Sequence, residues 1–463
     1  MQYDLIVIGS GPGGYVAAIR ASQLGMKVAV VERAEVGGIC LNWGCIPTKA
    51  LLKSAQIFNY IKHADSYGIK IDGQAIPDME AIVNRSRGVA ENMSKGIQFL
   101  FKKYNVEHIS GFGKIKDCKI IEVITTEGNT ETYSANHIIL ATGTRSRELP
   151  NLPQDGKKII GYRKAMTSEK QPESMVVVGS GAIGSEFAYF YNSIGTKVTL
   201  VEYMPNIVPN EDEEVSKQLE RSFKKQGMKI ITSANVESVD TSGDICKVSV
   251  QTKKGIEIIE AEVIFSAVGV TTNIENIGLE ENGIKCENGK ILVDDFYRTN
   301  VEGIYAIGDI VKGQALAHVA SHEGLICVET IAGHQVDILD YNNIPGCTYT
   351  SPEVASVGMT EKQAIEAGLE IKIGKFPFTA SGKAAAGGNR DGFIKVIFNA
   401  KNNEWLGCHM IGDNVTEMIA EVVVARKLKT KARDIIDAVH PHPTMSEAIM
   451  EAVAIAYNEC VHL

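Results

Sequence analysis

Residues 4–32 and 174–202 carry one pattern twice, at a constant offset of 170 and without a gap. The first stretch reads DLIVIGSGPGGYVAAIRASQLGMKVAVVE and the second SMVVVGSGAIGSEFAYFYNSIGTKVTLVE. Each runs from an apolar strand into Gly-x-Gly-x-x-Gly, then through a helix-length segment, then into a second strand that ends in an acid. The repeat continues less tightly. Strands over Ile120–Thr126 and Thr130–Ser134, with a turn at Glu127-Gly128-Asn129, precede the apolar run Ile138–Gly143. Their partners run from Lys247 through Lys253-Lys254-Gly255 to Val263–Gly269. The first copy is longer by about 44 residues, and much of the excess follows Glu32, where Cys40, Cys45 and a long helix near Met79–Tyr104 are expected.

The glycine spacing has a physical meaning. The first glycine of such a loop allows a tight turn, the second lets the backbone approach a pyrophosphate, and the third lets helix and strand pack closely. The phosphate then meets free N–H groups at the positive end of the helix dipole. Gly9, Gly11 and Gly14 fill these places in the first copy, and Gly179, Gly181 and Gly184 in the second. Glu32 and Glu202 stand 18 residues beyond the last glycine of each loop, placed to accept ribose hydroxyls. One loop alone is weak evidence, but two with the acid at equal spacing imply two dinucleotides. A carboxylate repels a 2′-phosphate, so Glu202 favours NAD over NADP at the second site.

Length and charge narrow the rest. A chain of 463 residues has room for three or four domains. A net charge of −9 opposes binding to nucleic acid. No apolar run approaches the ~20 residues of a membrane helix, and the N-terminus reads as carrying no signal peptide. The nine cysteines then fit a cytoplasmic protein with mostly reduced thiols, in which a disulfide is more often catalytic than structural. No metal is expected.

The insertion reads Gly37-Gly38-Ile39-Cys40-Leu41-Asn42-Trp43-Gly44-Cys45-Ile46-Pro47-Thr48-Lys49. Cysteines five apart do not share a face of a regular helix, and bridging them needs Cα atoms within about 4.4–6.8 Å, hence an irregular segment. Two buried core thiols are the other reading of a bare pair at this spacing. Near the C-terminus stands His440-Pro441-His442-Pro443-Thr444-Met445-Ser446-Glu447. A thiol must become a thiolate to attack a disulfide, and a histidine oriented by a carboxylate is a suitable base. A histidine between prolines is, by itself, more often a turn residue.

Taken together these segments resemble the pyridine nucleotide-disulfide oxidoreductases, over essentially the whole chain. The resemblance implies an α/β fold: two Rossmann-like dinucleotide-binding domains with a central domain and a C-terminal α+β dimerisation domain. The expected divisions are 1–147 for FAD and the redox disulfide, 148–274 for NAD, 275–343 for a central domain completing the FAD site, and 344–463 for the interface. It implies a Cys40–Cys45 redox disulfide, with His442 and Glu447 as its base pair, contributed across a homodimer. For FAD it implies Gly9, Gly11, Gly14, Glu32, Lys49, Gly113, Thr142, Gly143, Asp309 and Ala317. For NAD it implies Gly179, Gly181, Ile183, Gly184, Glu186, Glu202, Val236 and Gly269. Lys49 and Glu186 would both lie where the nicotinamide meets the flavin.

Within the family, the Cys loop and the His-x-His-Pro-Thr-x-Ser-Glu ending look like enzymes that oxidise protein-bound dihydrolipoamide with NAD+. Their partner is a lipoyl-bearing acyltransferase or carrier protein of a 2-oxo acid dehydrogenase or glycine cleavage complex. The alternative is an NAD(P)H-dependent reductase of another small disulfide such as glutathione disulfide; a non-catalytic nucleotide-binding subunit is a third reading. Ile39, Trp43 and Pro441 depart from the residues usual in the motif. The remaining cysteines, the acidic run Glu211–Glu214, the basic residues Arg426–Arg433 and both tryptophans read as core, solvated surface or packing.

Overall fold

A computed structural model describes residues 2–463. By its contacts the chain divides into two units. One comprises the chain up to Ala50 with Ala81–Arg147 and Gly269–Tyr341; the other comprises Leu51–Glu80, Glu148–Val268 and Asn342–Leu463.

The repeat in sequence is a repeat in topology. In the first unit, the parallel strands lie in the order Glu107–Asp117, Val28–Glu32, Gln2–Ile8, Thr130–Leu140 and Ile304–Ala306. In the second unit the order is Lys229–Ile231, Lys197–Val201, Ser174–Val178, Val263–Ser266 and Ile159–Ile160. The central strands of both sheets are near-continuous apolar runs, the pattern of a parallel sheet covered on both faces. Gln2–Ile8 and Ser174–Val178 each bury every residue from Leu5 or Met175 onward. Each copy also carries an antiparallel three-stranded excursion, Glu107–Asp117 with Ile120–Thr125 and Thr130–Leu140 in the first, and Asn235–Asp240, Cys246–Thr252 and Gly255–Ala261 in the second.

One strand differs from the sequence reading. Thr130–Leu140 is continuous, where a break after Ser134 was expected. Its first half pairs antiparallel with Ile120–Thr125, and from Ser134 it pairs parallel with Gln2–Ile8. Polar Asn136 and His137 interrupt the apolar pattern, but the ladder on either side carries the backbone through.

The C-terminal part of the second unit is a five-stranded antiparallel sheet in the order Gly346–Thr348, Glu353–Gly358, Trp405–Gly412, Phe393–Asn399, Ile371–Pro377. Trp405–Gly412 is buried throughout, and the helices Val415–Lys427 and Glu447–Ala456 contribute Ile419, Val422, Ile449 and Val453 to the same core. Trp405 stacks on Phe398 at 5.2 Å, a packing role as expected.

Two surface readings are corrected here. The helix after Pro209 does begin at Glu213, capped by the Asp212 side chain, but the run before it is not solvated. Asp212 is buried and pairs with the buried Lys395 at 3.0 Å, and burial pushes the Glu211 carboxyl up to about 7. In the basic cluster Lys427, Lys429, Lys431 and Arg433 are exposed as expected, but Arg426 donates to the carbonyl oxygens of Trp405 and Asn342, both at 2.9 Å. Among the described residues no helix is long and apolar enough to cross a membrane.

Candidate active site

The two glycine loops are superposable in their chemistry. Gly9 has φ +104°, and a Cβ there would stand 2.3 Å from the Ala141 carbonyl oxygen; Gly179 has φ +95° and meets Ala267 in the same way at 2.4 Å. A Cβ on Gly14 or Gly184 would lie 1.9 Å from the carbonyl oxygen of the first glycine of its own loop. Protein atoms therefore explain the first and third glycines. They do not explain the second: around Gly11 and Gly181 nothing lies within 4 Å of the missing Cβ. These residues are the N-caps of helices Pro12–Gln23 and Ala182–Ile194, neither of which has a side-chain cap or an acid in its first turn. Uncapped N–H groups beside an open cradle fit a pyrophosphate.

Glu32 and Glu202 occupy equivalent places. Glu32 Oε2 accepts from the Ser10 N–H (2.9 Å) and hydroxyl (2.7 Å), and Oε1 accepts from the Ala34 N–H (2.9 Å). Glu202 Oε2 accepts from the Ser180 N–H and hydroxyl, and Oε1 from the Met204 N–H, all at 2.7 Å. A carboxylate has about four acceptor positions, so each keeps one on Oε1 for a ribose hydroxyl. Ser10 and Ser180 were not among the expected site residues. The signal was present, since both loops read Gly-Ser-Gly.

The cysteine segment is attached to the first loop. Gly37 N–H donates to Ser10 Oγ at 3.1 Å, the same hydroxyl that reaches Glu32. A Cβ on Gly38 would stand 2.6 Å from Gly11 Cα. A short helix, Gly38–Asn42, carries Cys40; Trp43 and Gly44 form a joint; Cys45 then opens the helix Cys45–Lys62. Cys40 is half-buried and Cys45 exposed. A hydrogen bond with Cys45, then burial, drive the Cys40 thiol well above its ordinary range, and the Lys49 ammonium works the other way. The two cysteines are thus in direct contact, and the reading as separate core thiols falls.

Asp309 lies on the turn Gly308–Ile310, where Thr144 Oγ1 donates to its Oδ2 at 2.7 Å and Lys290 Nζ donates to its carbonyl oxygen. The turn is held from behind by Glu323, a buried residue that accepts from the Gly308 N–H (2.5 Å) and the Tyr341 hydroxyl (2.6 Å). Burial pushes the Glu323 carboxyl up to about 7, against those hydrogen bonds. Neither Glu323 nor Tyr341 was foreseen. Ala317 opens the helix Ala317–Ile331 without a side-chain cap. Thr142 is tied to Asn273 by two bonds, at 2.7 and 3.0 Å, and Gly143 accepts from the Asn273 N–H at 2.9 Å. Gly113 is buried in Glu107–Asp117, and its missing side chain is accounted for by Val31 and Ile8, 3.1 and 3.3 Å away.

Beside the second loop, Ile183 is exposed, while Glu186 is buried and accepts from the Tyr349 N–H at 2.9 Å. Val236 is buried, its carbonyl oxygen accepting from Asn151 at 2.5 Å. Gly269, at φ +105°, has open space where a Cβ would be.

In the second unit His442 Nδ1 lies 2.8 Å from Glu447 Oε1, and Thr444 N–H donates to Glu447 Oε2 at 2.7 Å. Burial raises the Glu447 carboxyl, but the Thr444 and His442 hydrogen bonds outweigh it and hold it below its usual range. The His442 side chain is 79% exposed, so its Nε2 is presented outward. The neighbouring His440 is engaged elsewhere, with Nε2 2.9 Å from Glu421. Among the described residues no cluster of three or more histidine, cysteine or acidic side chains could hold a metal.

Residues 3–324 match the pyridine nucleotide-disulphide oxidoreductase family, and residues 344–453 match that family's dimerisation domain. The chain belongs to the pyridine nucleotide-disulphide oxidoreductases. Its relatives include proteins named dihydrolipoyl dehydrogenase from Rhizobium etli and Zymomonas mobilis, each 47% identical and matched over all of this chain and 99% of the relative. The crystal structure of LpdA from Mycobacterium tuberculosis superposes with a TM-score of 0.90 at 26% identity, covering 97% of this chain and 98% of the other. For a pyridine nucleotide-disulphide oxidoreductase the division of labour is legible here: two dinucleotide cradles, and a thiol pair fastened to the first.

Proposed function

We propose that this chain oxidises protein-bound dihydrolipoamide to lipoamide and delivers the electron pair, through Cys40–Cys45 and FAD, to NAD+. The observation that carries the reading is the contact of the Cys40–Cys45 loop, through Gly38, with Gly11 of the first cradle. The relatives named dihydrolipoyl dehydrogenase support the choice of substrate.

The first cradle, with Gly9, Gly11, Gly14, Glu32, Lys49, Gly113, Thr142, Gly143, Asp309 and Ala317, takes FAD. The second, with Gly179, Gly181, Ile183, Gly184, Glu186, Glu202, Val236 and Gly269, takes NAD. Four functional domains, 1–147, 148–274, 275–343 and 344–463, divide the work. When bound, FAD supplies the two-electron carrier that reoxidises the cysteine pair and reduces NAD+. The protein's own groups carry the thiol chemistry. His442, its Nδ1 fixed by Glu447, takes a proton on Nε2 from a substrate thiol. The substrate thiolate attacks Cys40, the Cys40–Cys45 bond breaks, and Cys45 leaves as a thiolate. Cys45 is the first residue of an 18-residue helix, whose dipole favours a negative sulfur there. The second substrate sulfur then displaces Cys40, closing lipoamide and leaving the cysteine pair reduced by two electrons. The chain works as a homodimer through residues 344–463, in the cytoplasm, on a lipoyl-bearing acyltransferase or carrier protein.

An anaerobic titration tests this. Dihydrolipoamide is expected to bleach the bound flavin in part, and NAD+ to restore it. Steady-state rates with glutathione disulfide and NAD(P)H should be far lower. A flavin that dihydrolipoamide leaves untouched, or a preference for glutathione disulfide, would sink the reading.

A further inference from the structure

Three side chains of the helix Met79–Lys103 reach carbonyl oxygens that bracket the cysteine segment. Ser94 Oγ donates to Val36 at 2.8 Å, Arg87 Nη1 to Asn42 at 2.6 Å, and Arg85 Nη1 to Ala50 at 2.8 Å. Of these three, Arg87 reaches the residues between the cysteines, and it does so twice. Besides its bond to Asn42, its guanidinium lies 4.2 Å over the Trp43 ring. Asn42 is buried and turned inward, its Nδ2 donating to the carbonyl oxygens of Val36 and Gly38, both at 3.0 Å.

We propose that Arg87, seated on Trp43, is a positioning residue for the Cys40–Cys45 pair. It locks the joint between the short helix Gly38–Asn42 and the long helix Cys45–Lys62 so that the sulfurs stay opposed in both redox forms. The inference rests on the reading of Cys40–Cys45 as a redox couple.

The physical argument concerns effective concentration. Trp43 and Gly44 are the only residues between the two helices. A joint free to hinge spreads the sulfurs over many separations and lowers the effective concentration of one thiol at the other. That concentration sets the equilibrium of the disulfide against an external dithiol. A locked joint therefore makes the disulfide harder to reduce. Arginine suits the task because its planar group stacks on the indole while an N–H forks to the carbonyl; lysine does neither well.

The test equilibrates the holoenzyme anaerobically with mixtures of dithiothreitol and its cyclic disulfide. Dithiothreitol gives up two electrons and two protons, and the Cys40–Cys45 bond takes them to form two thiols. Acid quenching, alkylation and mass spectrometry then count the reduced pair. Arg87→Lys, Arg87→Met and Trp43→Leu are each expected to favour the dithiol by roughly tenfold, about 30 mV toward a more oxidising couple. Arg85→Met cuts a similar bond outside the pair. It should lower the melting temperature about as much as Arg87→Met while leaving the redox curve in place. Arg87 variants that titrate with the wild type, or an Arg85→Met curve displaced as far, overturn the proposal. A wild type that forms no Cys40–Cys45 disulfide anywhere in the range overturns the redox reading itself, and the proposal with it.

Discussion

Glu202 holds its own loop with three hydrogen bonds and offers a fourth position to a ligand. Glu202→Ala should therefore raise KM for NAD+ by about 10–100-fold, the value of a hydrogen bond to a charged group. Stopped-flow reduction of the flavin by dihydrolipoamide, which does not involve NAD+, should stay at the wild-type rate. His442→Ala should show the opposite split, with flavin reduction by the dithiol slowed about 10²–10⁴-fold and NADH binding unchanged. Glu323 gives a pH signature. Its carboxyl is buried and pushed up to about 7, above the ordinary carboxylate range it has in the unfolded chain. The folded state thus binds the proton more tightly, so this group's stabilisation is full below about pH 4.5 and is lost as pH rises through about 7. Over that range the shift corresponds to something on the order of 3 kcal/mol. Glu323→Gln, a neutral isostere, should flatten the fall in melting temperature between pH 5 and 8; a mutant curve parallel to the wild type would count against the assignment. The sequence could not show this residue. Its burial follows from the Gly308 turn and Tyr341 folding over it.

At the scale of elements, the two glycine loops separate what the fold needs from what the ligand needs. Gly11 has an ordinary φ of −62° and empty space around a would-be Cβ, so Gly11→Ala should fold with a near wild-type melting temperature. Its methyl would occupy the cradle, and FAD affinity should fall at least tenfold, read by flavin fluorescence on dilution. Gly14→Ala puts a methyl 1.9 Å from the Gly9 carbonyl oxygen and should give little folded protein at all. These elements were legible because their periodicity and glycine spacing are local. The helix Met79–Lys103 was readable for the same reason. What local pattern could not reveal was who covers whom. Asp212 looked like one acid among several until Lys395, more than 180 residues on, was found buried against it. Trp43 looked like packing until Arg87 arrived from another helix. Such pairings depend on tertiary contacts that one sequence does not spell out.

The whole molecule poses a last question, because the thiol pair and the base pair belong to different units of the chain. In the dimerisation region His442 and Glu447 form an exposed, pre-oriented pair at the head of a helix. A twofold dimer can bring the base of one copy to the thiols of the other, and the two sites are then equivalent by symmetry. Mixing inactive variants distinguishes this from a site completed within one chain. Cys45→Ser and His442→Ala homodimers should each be nearly inactive with dihydrolipoamide. After dissociation and random reassembly, half of the dimers are mixed. If the base is supplied across the interface, each mixed dimer has one site with both defects and one with neither. Activity should then recover to about a quarter of the wild-type value. If thiols and base must come from the same chain, every site in the mixture carries one defect and no activity returns.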